Sequence, residues 1–210
     1  MNTEADLIER IIKGEKQLYE GIIRKYNQRL YRIARSFIRN EDEIEDVMQE
    51  TYIKAYLHLK QFEGKSQFST WITRILINQA NQSLNKEKRV RNYIAVSSDE
   101  LPDTKFSNEP TPDQNLMNDE MKKYLEHAID ELPETLRSVY IMREVEGLSV
   151  NETSETLSLS IENVKTRLHR AKASLKDSLF EKGEIDLFHF KMDRCDRVVL
   201  AVMFQVDKTN

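Results

Sequence analysis

The stretch from Ser149 to Lys176 constrains the fold most, because it spells two helices separated by a turn of only a few residues. Ser149 and Glu152 have the Ser-x-x-Glu spacing of a capping box, in which each side chain satisfies a backbone N–H that the first helical turn leaves orphaned. A first helix then runs from Val150 to about Leu157. Ser158 and Ser160 flank Leu159 in the break, and Ser160 suits the N-cap of a second helix with Glu162 in its first turn. In that second helix Val164, Leu168, Ala171 and Leu175 recur at helical spacing, a stripe that has to be buried. The pattern predicts a helix-turn-helix.

The opposite face is cationic. Lys165, Thr166, His169 and Arg170 share one side, Arg167, Lys172 and Lys176 lie beside it, and only Glu162 opposes them. A basic helix with hydrogen-bonding side chains behind a short turn is what the major groove of DNA admits. A solvated amphipathic helix would show the same charge run, but not the capped partner helix and tight turn in front of it.

Elsewhere the chain is short of helix breakers. Its five glycines and four prolines fall between periodic segments of 210 residues, 39% hydrophobic and 32% charged, which predicts an all-α protein with room for two small domains. A formal net charge of −4 does not suit a protein that holds DNA by counterion release alone. Its basic residues must be segregated, or it works beside a larger basic partner. Cys195 is the only cysteine, which excludes an intramolecular disulfide and disfavours a cysteine-ligated zinc site. The acidic start, Met1 to Asp6, lacks the features of a signal peptide, and the longest apolar run, Val198 to Phe204, is far too short to span a bilayer. A cytoplasmic protein without membrane insertion, metal or cofactor is expected.

From the start, Thr3 and Asp6 open a short helix carrying Leu7, Ile8, Ile11 and Ile12, which ends near Gly14. A longer periodic segment follows from Leu18 to Ile38, and Asn40 with Glu43 then offers a cap for a third helix. Ile44, Val47, Met48, Thr51, Tyr52 and Ala55 form its inner stripe, leaving Glu41, Asp42, Glu45, Asp46, Gln49 and Glu50 as an acidic outer face. On periodicity alone that face is simply solvated. Between Lys60 and Trp71 the pattern lapses into a loop containing Phe62, Gly64, Phe68, Ser69 and Thr70. Exposed aromatics beside hydroxyls and amides can hold an unstacked base. Phe62 and Phe68 plugging the core under the loop is the plainer account of the same residues.

Trp71 to Leu84 is helical again and runs into the basic Lys86 to Arg91, with Asn78, Gln82 and Lys86 stepping along one face. Residues 95–116, rich in Ser, Asp, Glu, Asn and Pro, read as an acidic flexible linker. Helical periodicity returns from Leu116 to Leu132, Pro133 breaks it, and Leu136, Val139, Tyr140 and Val145 face inward before Gly147.

Taken in order, several of these runs resemble the extracytoplasmic-function (group IV) sigma factors, initiation subunits of bacterial RNA polymerase. The resemblance rests on Ile44-Glu45-Asp46-Val47-Met48-Gln49-Glu50-Thr51-Tyr52-Ile53-Lys54-Ala55-Tyr56 and Phe68-Ser69-Thr70-Trp71-Ile72-Thr73-Arg74-Ile75-Leu76-Ile77-Asn78. In the second half it rests on Glu131-Leu132-Pro133-Glu134, Ser149 to Leu157, and Asn163-Val164-Lys165-Thr166-Arg167-Leu168-His169-Arg170-Ala171-Lys172. It implies a region 2 domain over 1–95, a linker over 96–115 and a region 4 helix-turn-helix domain over 116–182. Asp46, Gln49 and Glu50 would then dock core RNA polymerase. Phe62, Phe68, Ser69, Thr70 and Asn78 would capture the flipped base of the melted minus-ten element, with Gln82, Lys86 and Arg89 along the same strand. Lys165, Thr166, Arg167, His169, Arg170 and Lys172 would face the minus-thirty-five duplex, and an anti-sigma factor becomes an expected partner. Gln82 and Glu162 depart from the family pattern, where a carboxylate and a glycine are usual, which leaves the promoter sequence open.

Residues 183–210 fall outside the two domains. Phe188, Phe190, Val198, Val199, Val202, Met203 and Phe204 suit a short apolar helix or strand that packs on the second domain or binds a regulator, and Arg194 to Val199 resembles a tail on some family members. His189 and Cys195 lack the further ligands that a metal site needs. With no phosphate loop or nucleophile–base pair, nothing points to an enzyme. A free-standing helix-turn-helix regulator is the alternative to a promoter-selecting subunit.

Overall fold

Helix starts follow the polar caps wherever a cap is present. A computed structural model describes residues 3–95, 116–176 and 187–209. Its first helix, α1 (Glu4–Ile12), begins behind Thr3, whose hydroxyl accepts from the Asp6 N–H while the Asp6 carboxylate accepts from the Thr3 N–H. A 3₁₀ turn, Lys16–Leu18, leads into α2 (Tyr19–Arg35). α3 (Glu41–Leu57) starts at Asn40, whose side-chain oxygen accepts from both Asp42 and Glu43 N–H groups. The Glu43 carboxylate does not close a capping box; it accepts from the Ser83 hydroxyl at 2.5 Å instead. After a 3₁₀ turn at Leu59–Gln61, α4 (Phe68–Ala95) completes the helices of the first half.

The second half comprises α5 (Leu116–Glu131), α6 (Glu134–Tyr140), a π turn (Ile141–Val145), α7 (Val150–Leu157) and α8 (Ile161–Ser174). Pro133 sits at the N-cap of α6, as its missing N–H and fixed φ favour. The linker expected between the halves lies outside the described residues. Among the described residues there is no strand, and no helix is long and apolar enough to cross a membrane.

α2 and α3 pack through a pair of tyrosines that leave no polar atom unpaired. The Tyr19 hydroxyl donates to the Tyr52 carbonyl at 2.7 Å, the Tyr52 hydroxyl donates to the Ile23 carbonyl at 3.1 Å, and both rings are fully buried. Burial pushes both phenols well above their ordinary range, so they stay neutral donors. Ile22, Ile23, Leu30, Ile44, Met48, Ile72 and Leu76 fill the space around them.

The last helix corrects the expectation for the tail. α9 (Met192–Lys208) packs on α2 and α3 of the first domain, not on the second. It buries Val198, Val199, Val202 and Val206. Because α9 lies there, Glu45 is not part of an open acidic face but is 6% exposed. α3 therefore packs against α2, α4 and α9.

Replacing Asn40 with Ala removes the acceptor for two N–H groups and is expected to cost about 1 kcal/mol. The measurement is the urea midpoint, which falls while the slope stays unchanged.

Candidate nucleic-acid interface

The helix-turn-helix is built from local bonds. Glu152 accepts from the Ser149 N–H at 2.7 Å, and the Ser149 hydroxyl accepts from the Glu152 N–H at 3.1 Å. These bonds, with one from Thr70, hold the Glu152 carboxyl below its ordinary pKa. The chain reverses at Ser158, in the left-handed region at φ 53°, where the Leu159 N–H and carbonyl both bond to Ser154. Ser160 then caps α8 through the Asn163 N–H. Val164, Ala171 and Leu175 are buried on the side of α8 that meets α6 and α7.

That docking turns Lys165, Thr166, His169 and Arg170 outward, all exposed, with Arg167 half-buried at the edge. Among the described residues no carboxylate pairs with Lys165, Arg167 or Arg170. Lys172, expected on the duplex-facing side, is exposed and its ammonium pairs with Glu144 at 2.8 Å. Glu162 is exposed beside the cationic face.

In the first half the expected aromatic loop is corrected. Phe68, Ser69 and Thr70 belong to the first turn of α4, and Phe68 is 2% exposed. Phe68 packs against Tyr26, Phe62 and Trp71 with ring centroids 5.6, 5.4 and 5.4 Å away, so its faces are spent on the core. Phe62 is half-buried in the same cluster. The Thr70 hydroxyl donates to Glu152 of α7 at 3.2 Å.

Beside that cluster an open groove of about 690 Å³ runs between α3 and α4. Its wall includes the amides of Gln61, Asn78, Asn81, Gln82 and Asn85, with Trp71, His58 and Lys54. Amides present a donor and an acceptor side by side, as base edges require, and an indole offers a stacking face. Asn78, Gln82 and Lys86 are exposed there, while the Arg89 side chain lies outside the described part. Sequence reasoning missed Lys54, His58, Gln61, Asn81 and Asn85. The recurrence of amides at 78, 81, 82 and 85 along one helix face was the available signal.

On the α3 surface Asp46 and Glu50 are exposed and Gln49 is half-buried. Glu45, one residue earlier, is closed off by Arg194 at 2.5 Å and by the Arg197 fork at 2.6 and 3.1 Å.

A row of arginines on α2 joins the two halves. Arg35 forks onto Asp130 at 2.7 and 2.9 Å, and Arg39 reaches the same carboxylate at 2.8 Å. Arg29 and Arg32 meet Glu146 at 3.2 and 3.0 Å, and Arg74 of α4 pairs with Glu155 of α7. Arg137 is 5% exposed and donates to the Ser36, Asp130 and Leu132 carbonyls, which the ends of α2 and α5 leave without helical partners. Burial, and then neighbouring Arg39, hold its pKa down at about 10, so it remains a cation at neutral pH.

A bundle carrying an amide groove, followed by a helix-turn-helix with an outward cationic face, defines a promoter-binding transcription protein. The model of sigma-70 region 2 matches residues 22–90, and that of sigma-70 region 4 matches residues 122–175. The chain belongs to the sigma-70 family, and within it to the extracytoplasmic-function sigma factors. Relatives include the RNA polymerase sigma-H factor of Pseudomonas aeruginosa, 29% identical over 180 residues covering 84% of this chain and 93% of the relative. The ECF RNA polymerase sigma-E factor of Haemophilus influenzae is 29% identical over 181 residues, covering 84% and 95%. Among solved structures, the sigma factor RpoE in complex with the anti-sigma factor NepR from Bartonella quintana shares the fold, with a TM-score of 0.55 and 22% identity over 81% of this chain and 97% of that one. CnrH in complex with the cytosolic domain of CnrY gives a TM-score of 0.54 at 22% identity over 82% and 94%.

Because the folded carboxyl pKa of Glu152 is lowered, its contribution is present at neutral pH and is lost as pH falls through the carboxylate range. Glu152→Gln is expected to lower stability at pH 7 by about 0.5 kcal/mol. The gap from wild type should close on acidification, as followed by urea unfolding at a series of pH values.

Proposed function

We propose that this sigma factor divides promoter reading between its two halves, with α8 on the upstream duplex and the α3–α4 groove on the opened downstream strand. The observation that carries the reading is the α8 face, where Lys165, Thr166, His169 and Arg170 point outward behind a capped, fixed turn. Bidentate and charge-assisted contacts from such side chains suit base edges and phosphates in a wide groove. The amides around Asn78 and Gln82 supply edge contacts to unpaired bases, and Trp71 the stacking face, so opening the duplex is driven by trapping one strand.

Asp46, Gln49 and Glu50 form the docking surface for core RNA polymerase in this reading, with Asp46 and Glu50 exposed acids on α3 and Gln49 half-buried beside them. A net charge of −4 fits a subunit that selects sequence while the polymerase supplies much of the nonspecific attraction. The chain acts in the cytoplasm, carries out no catalysis itself, and is held in check by an anti-sigma factor, as the structural relatives are bound by theirs. A free-standing regulator is set aside because a regulator has no need of a region 2 domain.

Replacing Lys165 and Arg170 together with Ala is expected to reduce transcription from a promoter with an intact upstream element by about 10- to 100-fold. Retention of core polymerase in a pull-down should be unchanged, and its loss would refute the division of labour. Asp46→Arg should do the reverse and lower that retention, and undiminished retention argues against the docking surface.

A further inference from the structure

Residues 187–209 lie beyond both matched regions, yet they touch both halves of the molecule. Phe188 makes the bridge. Its N–H donates to Glu126 of α5 at 2.5 Å, its carbonyl accepts from Gln28 of α2 at 2.8 Å, and its ring lies 4.3 Å from the guanidinium of Arg35. It does so at φ 52°, a left-handed conformation that is costly for a non-glycine residue and persists only where surrounding contacts impose it. On either side, the Leu187 carbonyl accepts from Arg32 at 2.7 Å, and the Phe190 ring stacks on Tyr31 at 4.6 Å. α9 then anchors the segment to the first domain through its buried valines, the Glu45 pairs and an Arg24–Asp196 bridge of 2.8 Å.

The topology gives this anchoring a consequence. With α9 seated, the second domain is tied to the first at both ends, before α5 and after α8. Leu187 follows Lys176 closely enough in sequence that the two can lie at most about 40 Å apart. The seam runs from the largely buried Arg32–Glu146 pair to the exposed Arg74–Glu155 pair, and its exposed members are worth little alone and are screened by salt. A second tether raises the effective concentration of one domain at the other and makes weak contacts sufficient. In the closed state Glu152 and Glu155 of α7 hold Thr70 and Arg74 at the start of α4, and α9 covers Glu45 beside the acidic face.

We propose that Leu187–Lys208 is an intramolecular clasp that keeps the free chain closed, region 4 held on region 2, until it is released from α2 and α3. The closure does not rest on the promoter-binding reading above.

The test uses the full-length chain without polymerase. Arg194→Glu with Arg197→Glu repels Glu45, and Phe188→Ala with Phe190→Ala removes the wedge. Small-angle X-ray scattering should show a radius of gyration larger than wild type by roughly a fifth or more, with helix content retained, as two separated bodies exceed the compact scaling. Adding Glu45→Arg to the arginine-reversed chain should restore the wild-type radius. If the phenylalanine variant fails to fold, the arginine variant decides, because Arg197 is 52% exposed and Arg194 is 23% exposed. A reversed chain with native helix content and an unchanged radius overturns the clasp. A failure of polymerase binding or transcription would instead fall on the functional reading, since the scattering measurement involves no polymerase.

Discussion

The relation between the two domains depends on one face of α2, where Arg29, Arg32, Arg35 and, just beyond the helix, Arg39 share two carboxylates, Glu146 and Asp130. Spacings of three and four residues bring these side chains to one side of the chain. Guanidinium forks fix the orientation of a carboxylate as well as its distance, so this seam sets how region 4 sits on region 2. It is also a seam that can part, because Arg29, Arg35, Arg39 and Asp130 keep some access to water, whereas Glu146 is nearly closed off. Arg137 is buried as well, its guanidinium spent on three helix-end carbonyls.

What the seam consumes and what it leaves free explain the proposed division of labour. It uses α2 and the beginning of α4. It leaves the cationic face of α8 and the amide groove between α3 and α4 open to solvent. Both proposed reading surfaces are thus built in the free chain, each on helices, and what remains to be set is the distance between them.

Local chemistry was legible in the sequence. The capping box of Ser149 and Glu152, the Ser160 cap and the buried stripe of α8 all depend on residues within a few positions of one another, and all are present. Features set by distant partners were not. Glu45 reads as one more acid on an outer face, because the arginines that bury it are some 150 positions away. Lys172 shares the charge pattern of α8 but pairs with Glu144 from another element. Phe68 could be read from sequence either as a core plug or as a stacking aromatic, and its packing on Tyr26 of α2 decides for the core. The apolar content of the tail was plain, whereas its seat on the first domain depends on a surface of α2 and α3 that no periodicity identifies.

The account is tested most directly by run-off transcription with core polymerase on a library randomised across both promoter elements, using the wild-type chain alongside chains altered in α8 or in the α4 groove. The predicted result is a two-block preference, with α8 substitutions changing only the upstream block and groove substitutions only the block nearest the start site. A single block, or two blocks that shift together whichever half is altered, would contradict it.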